Sequence, residues 1–267
     1  MQIINYKWRF SDSWKPQFML TNGGGYEFLN LIGENLSFRL GDKRCVGHFS
    51  GGKHIQCLHE RFITSGNMCA ECQKLDDWFG CIRCSGTCIN PKRRGGCEKN
   101  NYYIYLASFD SMLKVGMSFN MRFHNRLIEQ GADFGTKIMS LKDGMLARQT
   151  EQKISKALDL PDRIYGDMKQ DRIFANPNDV SMNISQAIDS LRENNIPIHD
   201  EPEIYDFRRH YKLHNILKKP SKLAMKEGVF MDGKIVAAKG NVLVLENNRR
   251  YYSFNAHTVV GRDLVAI

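Results

Sequence analysis

Apolar and polar positions alternate through the opening of the chain, the mark of strands with one buried face. Ile3, Ile4, Tyr6, Trp8 and Phe10 make one candidate strand, residues 17–20 a second and 36–40 a third, with a strong turn at Thr21-Asn22-Gly23-Gly24-Gly25. Trp8 and Trp14 read as packing residues more than as base-stacking ones. The glycine triplet has no Lys-Ser/Thr and no helix behind it, so it is not a phosphate loop. β-rich runs return at 103–106 and 114–116 around a turn-compatible break at 108–113, which suits a hairpin. Behind Gly116 the period lengthens. Phe119, Phe123, Leu127 and Ile128 share one helical face, Arg122, Arg126 and Glu129 another, and Gly131 ends the helix. Arg122 and Arg126 stand one turn apart, so both guanidinium groups can point at one anion.

Residues 137–141 suit a third strand, and Asp143-Gly144 opens a helix running to about Leu158, with Ala147, Thr150, Ile154, Ala157 and Leu158 inward. Glu151 borders that inner face, where a carboxylate needs a partner; a salt bridge to Arg122 or Arg126 is one way to supply it. A further amphipathic helix follows Asn178-Asp179, with Val180, Ile184, Ala187, Ile188 and Leu191 as its core face. From 194 to 220 prolines interrupt the chain, and Tyr205-Asp206-Phe207-Arg208-Arg209-His210-Tyr211-Lys212 interleaves aromatics with cations. Such a segment stacks on bases and neutralises phosphates, or packs its aromatics onto the central domain, which is the preferred reading. The end of the chain suits a β-meander: Asp232-Gly233 turns between 229–230 and 235–236, Gly240 breaks the next segment, and 242–245 pairs with Tyr251, Tyr252 and Phe254 across Asn247-Asn248. A five-strand SH3-like or OB-like barrel fits that length.

Composition adds a direction. With 38 basic against 29 acidic side chains the net charge is +9, which favours a polyanionic partner, RNA or DNA. Pro91-Lys92-Arg93-Arg94 and Arg208-Arg209 are the candidate phosphate contacts. No apolar run approaches a membrane span, and the start of the chain has no export signal, so a cytoplasmic protein is expected. The eight cysteines are then free thiols or metal ligands. They fall into two sets, Cys45, Cys57, Cys69 and Cys72, then Cys81, Cys84, Cys88 and Cys97, which allows two structural S4 zinc sites in a segment too poor in apolar residues to fold by burial alone. An iron-sulfur cluster is the alternative. His48, His54 and His59 lie close enough in sequence to replace a cysteine and are read as loop residues.

The two short strands, one ending in Tyr103-Ile104-Tyr105 and the other in Lys114-Val115-Gly116, followed by the arginine helix, resemble the GIY-YIG nuclease superfamily, in the branch with Lys in place of the second Tyr. More narrowly, Tyr105-Leu106-Ala107, Lys114-Val115-Gly116, 126–132, Thr150-Glu151 and Leu160-Pro161-Asp162-Arg163-Ile164 resemble the family called domain of unknown function 2797, over roughly residues 40–165. Some members of that family hold only the first four cysteines, which supports that grouping. The resemblance implies an α+β protein with a small mixed GIY-YIG-like sheet and flanking helices. It divides as 1–44 β-rich, 45–99 zinc-binding, 100–195 GIY-YIG-like, 196–222 basic and aromatic linker, and 223–267 a small β-barrel-like domain. It also implies phosphodiester hydrolysis: Tyr105 helps deprotonate a water, magnesium on Glu151 stabilises the leaving oxygen, and Arg126, aided by Arg122, balances charge on the phosphorane. Lys114 departs from the second tyrosine and is a poor base unless its pKa falls steeply; His124 lies between the arginines instead of after them. A catalytically silent RNA- or DNA-binding protein on the same fold is the competing expectation, and a zinc-loop scaffold the third.

Overall fold

The structure is a computed structural model describing residues 1–161, 164–174, 177–199 and 201–266; the Asp162-Arg163 pair and the side chain of Val180, both singled out above, lie outside the described residues. The chain forms two units, one made of Met1–Ile82 and Lys212–Ile267, the other of Arg83–Tyr211. The first unit opens with β1 (Gln2–Phe10), β2 (Trp14–Thr21), β3 (Tyr26–Asn30) and β4 (Asn35–Lys43), then a short hairpin β5 (His48–Ser50) and β6 (Lys53–Ile55), α1 (Ala70–Leu75) and α2 (Phe79–Ile82). The second contains α3 (Arg94–Lys99), β7 (Asn101–Phe109), β8 (Met112–Phe119), α4 (Phe123–Gln130), β9 (Phe134–Lys142), α5 (Gly144–Ala157), α6 (Gly166–Asp171), α7 (Pro177–Glu193) and β10 (Ile204–Asp206). The chain then returns to the first unit with β11 (Ser221–Lys222), β12 (Phe230–Lys239), β13 (Val242–Asn247), β14 (Arg250–Asn255), α8 (Ala256–Val259) and β15 (Arg262–Ala266).

The two ends of the chain are one sheet. Its nine strands run in the order β11-β14-β13-β12-β4-β15-β1-β2-β3, with β4 between β12 and β15 and with β1 beside β15. The alternation seen in the sequence sets its faces: Leu36, Phe38 and Leu40 of β4 point inward while their neighbours are exposed. Tyr6 and Trp8 of β1 are buried and both donate to the carbonyl of Gly240, at 2.5 and 2.8 Å, which ties the amino-terminal strands to the β12–β13 turn. The expected barrel-like carboxy-terminal domain is therefore corrected to part of an open sheet. The division at 1–44, 45–99, 196–222 and 223–267 does not follow the two units. Asp232-Gly233 is not a turn but the interior of β12. Gly233 sits at φ +138° with the Glu246 carbonyl so close that an added Cβ would lie 2.3 Å from it, so it reads as punctuation while serving a close strand approach.

In the second unit the sheet order is β10-β9-β7-β8, antiparallel at every pairing, where a mixed sheet was expected. One face, with Ile104, Leu106, Val115 and Ile138, packs on Ala147 and Ile154 of α5 and Ile184, Ala187, Ile188 and Leu191 of α7. The helical periodicities read from the sequence are largely these core faces; Ala157, expected to point inward, is exposed. The 194–220 stretch supplies the fourth strand: β10 pairs with β9, and the buried Tyr211 donates from its hydroxyl to the carbonyl of Ala132 at 2.7 Å.

Candidate metal centre and candidate active site

Cys45, Cys57, Cys69 and Cys72 are all buried, and their sulfurs lie within 4.8 Å of one another. The Cys57 and Cys69 sulfurs are 3.9 Å apart, close to the roughly 3.8 Å that four thiolates around a zinc at about 2.3 Å would have. The loop is built for such a cage. Backbone N–H groups of Gly47 and Cys69 point at the Cys45 sulfur, at 3.4 and 3.1 Å. Gly47 makes that turn possible: it sits at φ +83°, and a Cβ there would fall 2.1 Å from the Ile55 carbonyl. Burial pushes the Cys45 and Cys72 thiols up. It pushes Cys57 the same way, but backbone N–H groups of Arg61 and His59 and the neighbouring thiols outweigh it and bring Cys57 down to about 7. Four converging sulfurs, two raised and one lowered, are a donor set that releases protons when a soft cation binds. A polar hollow of about 150 Å³, lined by Arg44, Gln56, Glu60, Cys45 and Cys57 among others, opens beside the cluster. The cluster can hold a metal ion such as zinc.

Among the described residues this is the one gathering of three or more cysteine, histidine or carboxylate ligands with that closeness. Cys81, Cys84, Cys88 and Cys97 do not form a comparable one. All are half-buried, none of the eight cysteines is in a disulfide, and the second set is divided, Cys81 in the first unit and the others in the second. Of the three histidines near the cluster in sequence, His48 is buried with Nδ1 lacking a partner, and His54 bonds Tyr26 and the Val46 carbonyl, at 2.7 and 2.5 Å.

The second unit holds the other predicted site. Tyr105 pairs with Gly116 of β8 on one side and Lys137 of β9 on the other; the register shifts beside it, with Ile138 the extra residue on β9, and Tyr105 keeps its alternation with Ile104 and Leu106. The phenol ring packs against Gly116, where an added Cβ would meet the ring and hydroxyl at 2.4 Å. That contact explains the glycine of Lys114-Val115-Gly116. The Tyr105 hydroxyl donates to Oε1 of Gln130 at 3.2 Å and also engages the Arg126 guanidinium. Burial pushes its pKa up, Arg126 pulls it back, and the Glu151 carboxylate pushes it up again, so both α4 and α5 act on this hydroxyl. Lys114 pairs with Ala107, which places it on the Tyr105 face of the sheet, half-buried.

Glu151 is 9% exposed and takes a hydrogen bond on Oε2 from Arg148, one turn earlier on α5, at 2.5 Å. Its salt-bridge partner is thus neither Arg122 nor Arg126, as expected from sequence, but a residue of its own helix. Arg122 is also displaced from the expected role: it lies in the turn before α4, is 53% exposed and pairs with Glu129 at 3.0 Å, because Glu129 is the nearer anion. Arg126 is exposed and remains on the Tyr105 side. His124 stacks edge-on with Phe123 and Tyr205, and burial followed by the Lys137 charge lowers its pKa.

Of the candidate phosphate contacts, Arg94 is held bidentately by Asp143, at 2.5 and 2.7 Å, and Arg208 by Asp206 in the same manner, at 2.9 and 2.6 Å, so their cations are internally balanced. Lys92 and Arg209 are exposed and Arg93 is half-buried. Gln130 and Arg148 escaped the sequence reading. Gln130 follows Arg126 at the helical i+4 spacing, a signal that was there to be used; Arg148 precedes Glu151 by three.

A sequence model described as a protein of unknown function (DUF2797) matches residues 33–263. The chain belongs to that family. The match spans most of the nine-stranded sheet, the cysteine cluster and the whole second unit, so membership covers both candidate sites. Comparison with curated proteins and with solved structures found no match.

Proposed function

We propose that this protein is a zinc-stabilised nucleic-acid enzyme whose second unit hydrolyses phosphodiester bonds in a GIY-YIG-like manner. The observation that supports the reading most is the setting of the buried Tyr105 hydroxyl, which pairs with Gln130, engages the exposed Arg126 and feels the charge of the buried Glu151. A carboxylate with so little exposure, sharing one oxygen with Arg148, is a suitable single protein ligand for magnesium, whose remaining positions are taken by water and substrate oxygens. When bound, magnesium would offset charge on the leaving oxygen. Arg126 supplies a cation to the phosphoryl oxygens as their charge grows. Tyr105 is neutral near pH 7, the more so with its pKa raised by burial, and with its O–H donated in a hydrogen bond to Gln130 it presents a lone pair. It therefore orients the attacking water by accepting a hydrogen bond from it, and any deprotonation by the phenol first requires the bound metal and Arg126 to bring its pKa down. In the first unit, zinc on Cys45, Cys57, Cys69 and Cys72 closes the loop between β4 and α1 and has no catalytic role.

The test uses labelled single- and double-stranded DNA and RNA with and without magnesium, comparing the protein with Tyr105→Phe, Arg126→Ala and Glu151→Gln. Magnesium-dependent cutting that all three variants lose is expected. Salt-sensitive binding with no cutting under any metal would favour the silent binding protein instead.

A further inference from the structure

We infer that residues 212–226 form a lysine ribbon that seats the phosphate backbone of a nucleic-acid duplex. The segment carries five lysines and one histidine and no carboxylate. Lys218, Lys219, Lys222 and Lys226 are all exposed. Runs of like charge usually belong to loose chain, because repulsion extends them. This one is pinned. Asn215 donates to the Val236 carbonyl at 2.8 Å, Ile216 and Pro220 are buried, Ser221 and Lys222 pair in parallel with Tyr252 and Ser253, and Gly228 N–H reaches the Leu40 carbonyl at 2.8 Å. The backbone is thus fixed against the sheet while Lys218, Lys219 and Lys226 reach solvent. Holding them together costs repulsion that a polyanion relieves.

Parallel pairing of β11 with β14 brings a second set of cations to the same end of the two strands, Arg249 and Arg250, both exposed, on the β13–β14 turn. The ligand's chemistry follows from what the ribbon lacks. Lysine is a point charge without the planar fork that reads base edges, and residues 212–226 include no phenylalanine, tyrosine or tryptophan on which an unpaired base would stack. The ammonium groups of the ribbon recognise phosphates at the outside of a duplex and by themselves carry no sequence preference, and Arg249 and Arg250 add charge at one end.

The inference rests on the nucleic-acid reading above but not on turnover, and the experiment separates the two. Duplex binding is measured by fluorescence anisotropy as a function of salt in the Glu151→Gln background, which prevents cutting, with and without replacement of Lys218, Lys219, Lys222 and Lys226 by Gln. The expected result is a duplex affinity at least about tenfold weaker at about 0.1 M salt and a log–log salt slope smaller by up to about 3.6, since each of the four phosphate contacts contributes about 0.9. Replacing the same four lysines by Arg should restore both. An unchanged melting temperature shows that the Gln variant is folded. Equal affinity and slope in the two proteins would overturn the inference, as would a loss confined to single strands, or displacement of the duplex by polyglutamate at equal charge concentration. If the ribbon binds duplex and the wild type never cuts it, the inference stands and the hydrolytic reading falls.

Discussion

At the residue scale the candidate site depends on Tyr105 and the glycine against its ring. Gly116→Ala would drive a methyl group into the phenol from 2.4 Å, an overpacking cost of about 1–3 kcal/mol, and the ring would have to tilt off Gln130 and Arg126. The expected outcome is a folded protein with a lowered melting temperature and no cutting; a variant that cuts at the wild-type rate would show that the ring's position is irrelevant. The raised pKa gives a separate expectation. The native state keeps the Tyr105 proton where the unfolded chain releases it, so stability present below about pH 10 is lost as pH climbs through the native value. Tyr105→Phe should remove part of the alkaline destabilisation seen in urea titrations between pH 9 and pH 11 and leave the neutral-pH slope alone. Tyr105, Arg126 and Glu151 were named from short motifs, and the glycine of Lys114-Val115-Gly116 with them. The partners were not. Arg122 is drawn to Glu129 and Glu151 to Arg148 because near charges on one helix or turn compete with distant ones, and motif spacing contains no such competition.

At the scale of elements, two local devices hold the candidate sites in place. Asp143 caps α5 by accepting from the Met145 N–H at 2.9 Å while its carboxylate grips Arg94, which fastens the first residue of α3 to the helix that carries Glu151. Asp143 has φ +74°, so Asp143→Ala loses the cap and leaves alanine in a left-handed backbone; a cost of about 1–2 kcal/mol is expected in chemical denaturation, with Asp143→Gly milder. The other device is the cysteine loop. Strong chelation, or Cys69→Ser with Cys72→Ser, should remove one metal ion per chain and lower the melting temperature. Replacing Cys81, Cys84, Cys88 and Cys97 should leave metal content unchanged, because those thiols do not converge among the described residues. Two tightly held ions by elemental analysis would contradict this. Sequence spacing grouped the four cysteines that converge, and the Cys69–Cys72 pair is closed by a helix turn; the second set shares only the Cys-x2-Cys pair and, among the described residues, has no such cage.

For the whole molecule, the lesson is one of long-range pairing. Alternation located most strands, yet it has no knowledge of which strands meet, so the first and last stretches were read as separate modules. In the fold β4 takes β12 on one edge and β15 on the other. Deleting 223–267 should therefore leave an insoluble or molten first unit instead of a shortened folded protein, checked by near-ultraviolet circular dichroism and proteolysis. Among the described residues no helix is long and apolar enough to cross a membrane. The measurement that tests the central claim most directly pairs single-turnover cleavage with binding for Glu151→Gln, using the same labelled substrate in magnesium. Affinity within about twofold of wild type and a cleavage rate lower by at least about 10²-fold is the result expected of a residue that acts only in the transition state. A rate unchanged by the substitution would contradict the hydrolytic site at Tyr105, Arg126 and Glu151.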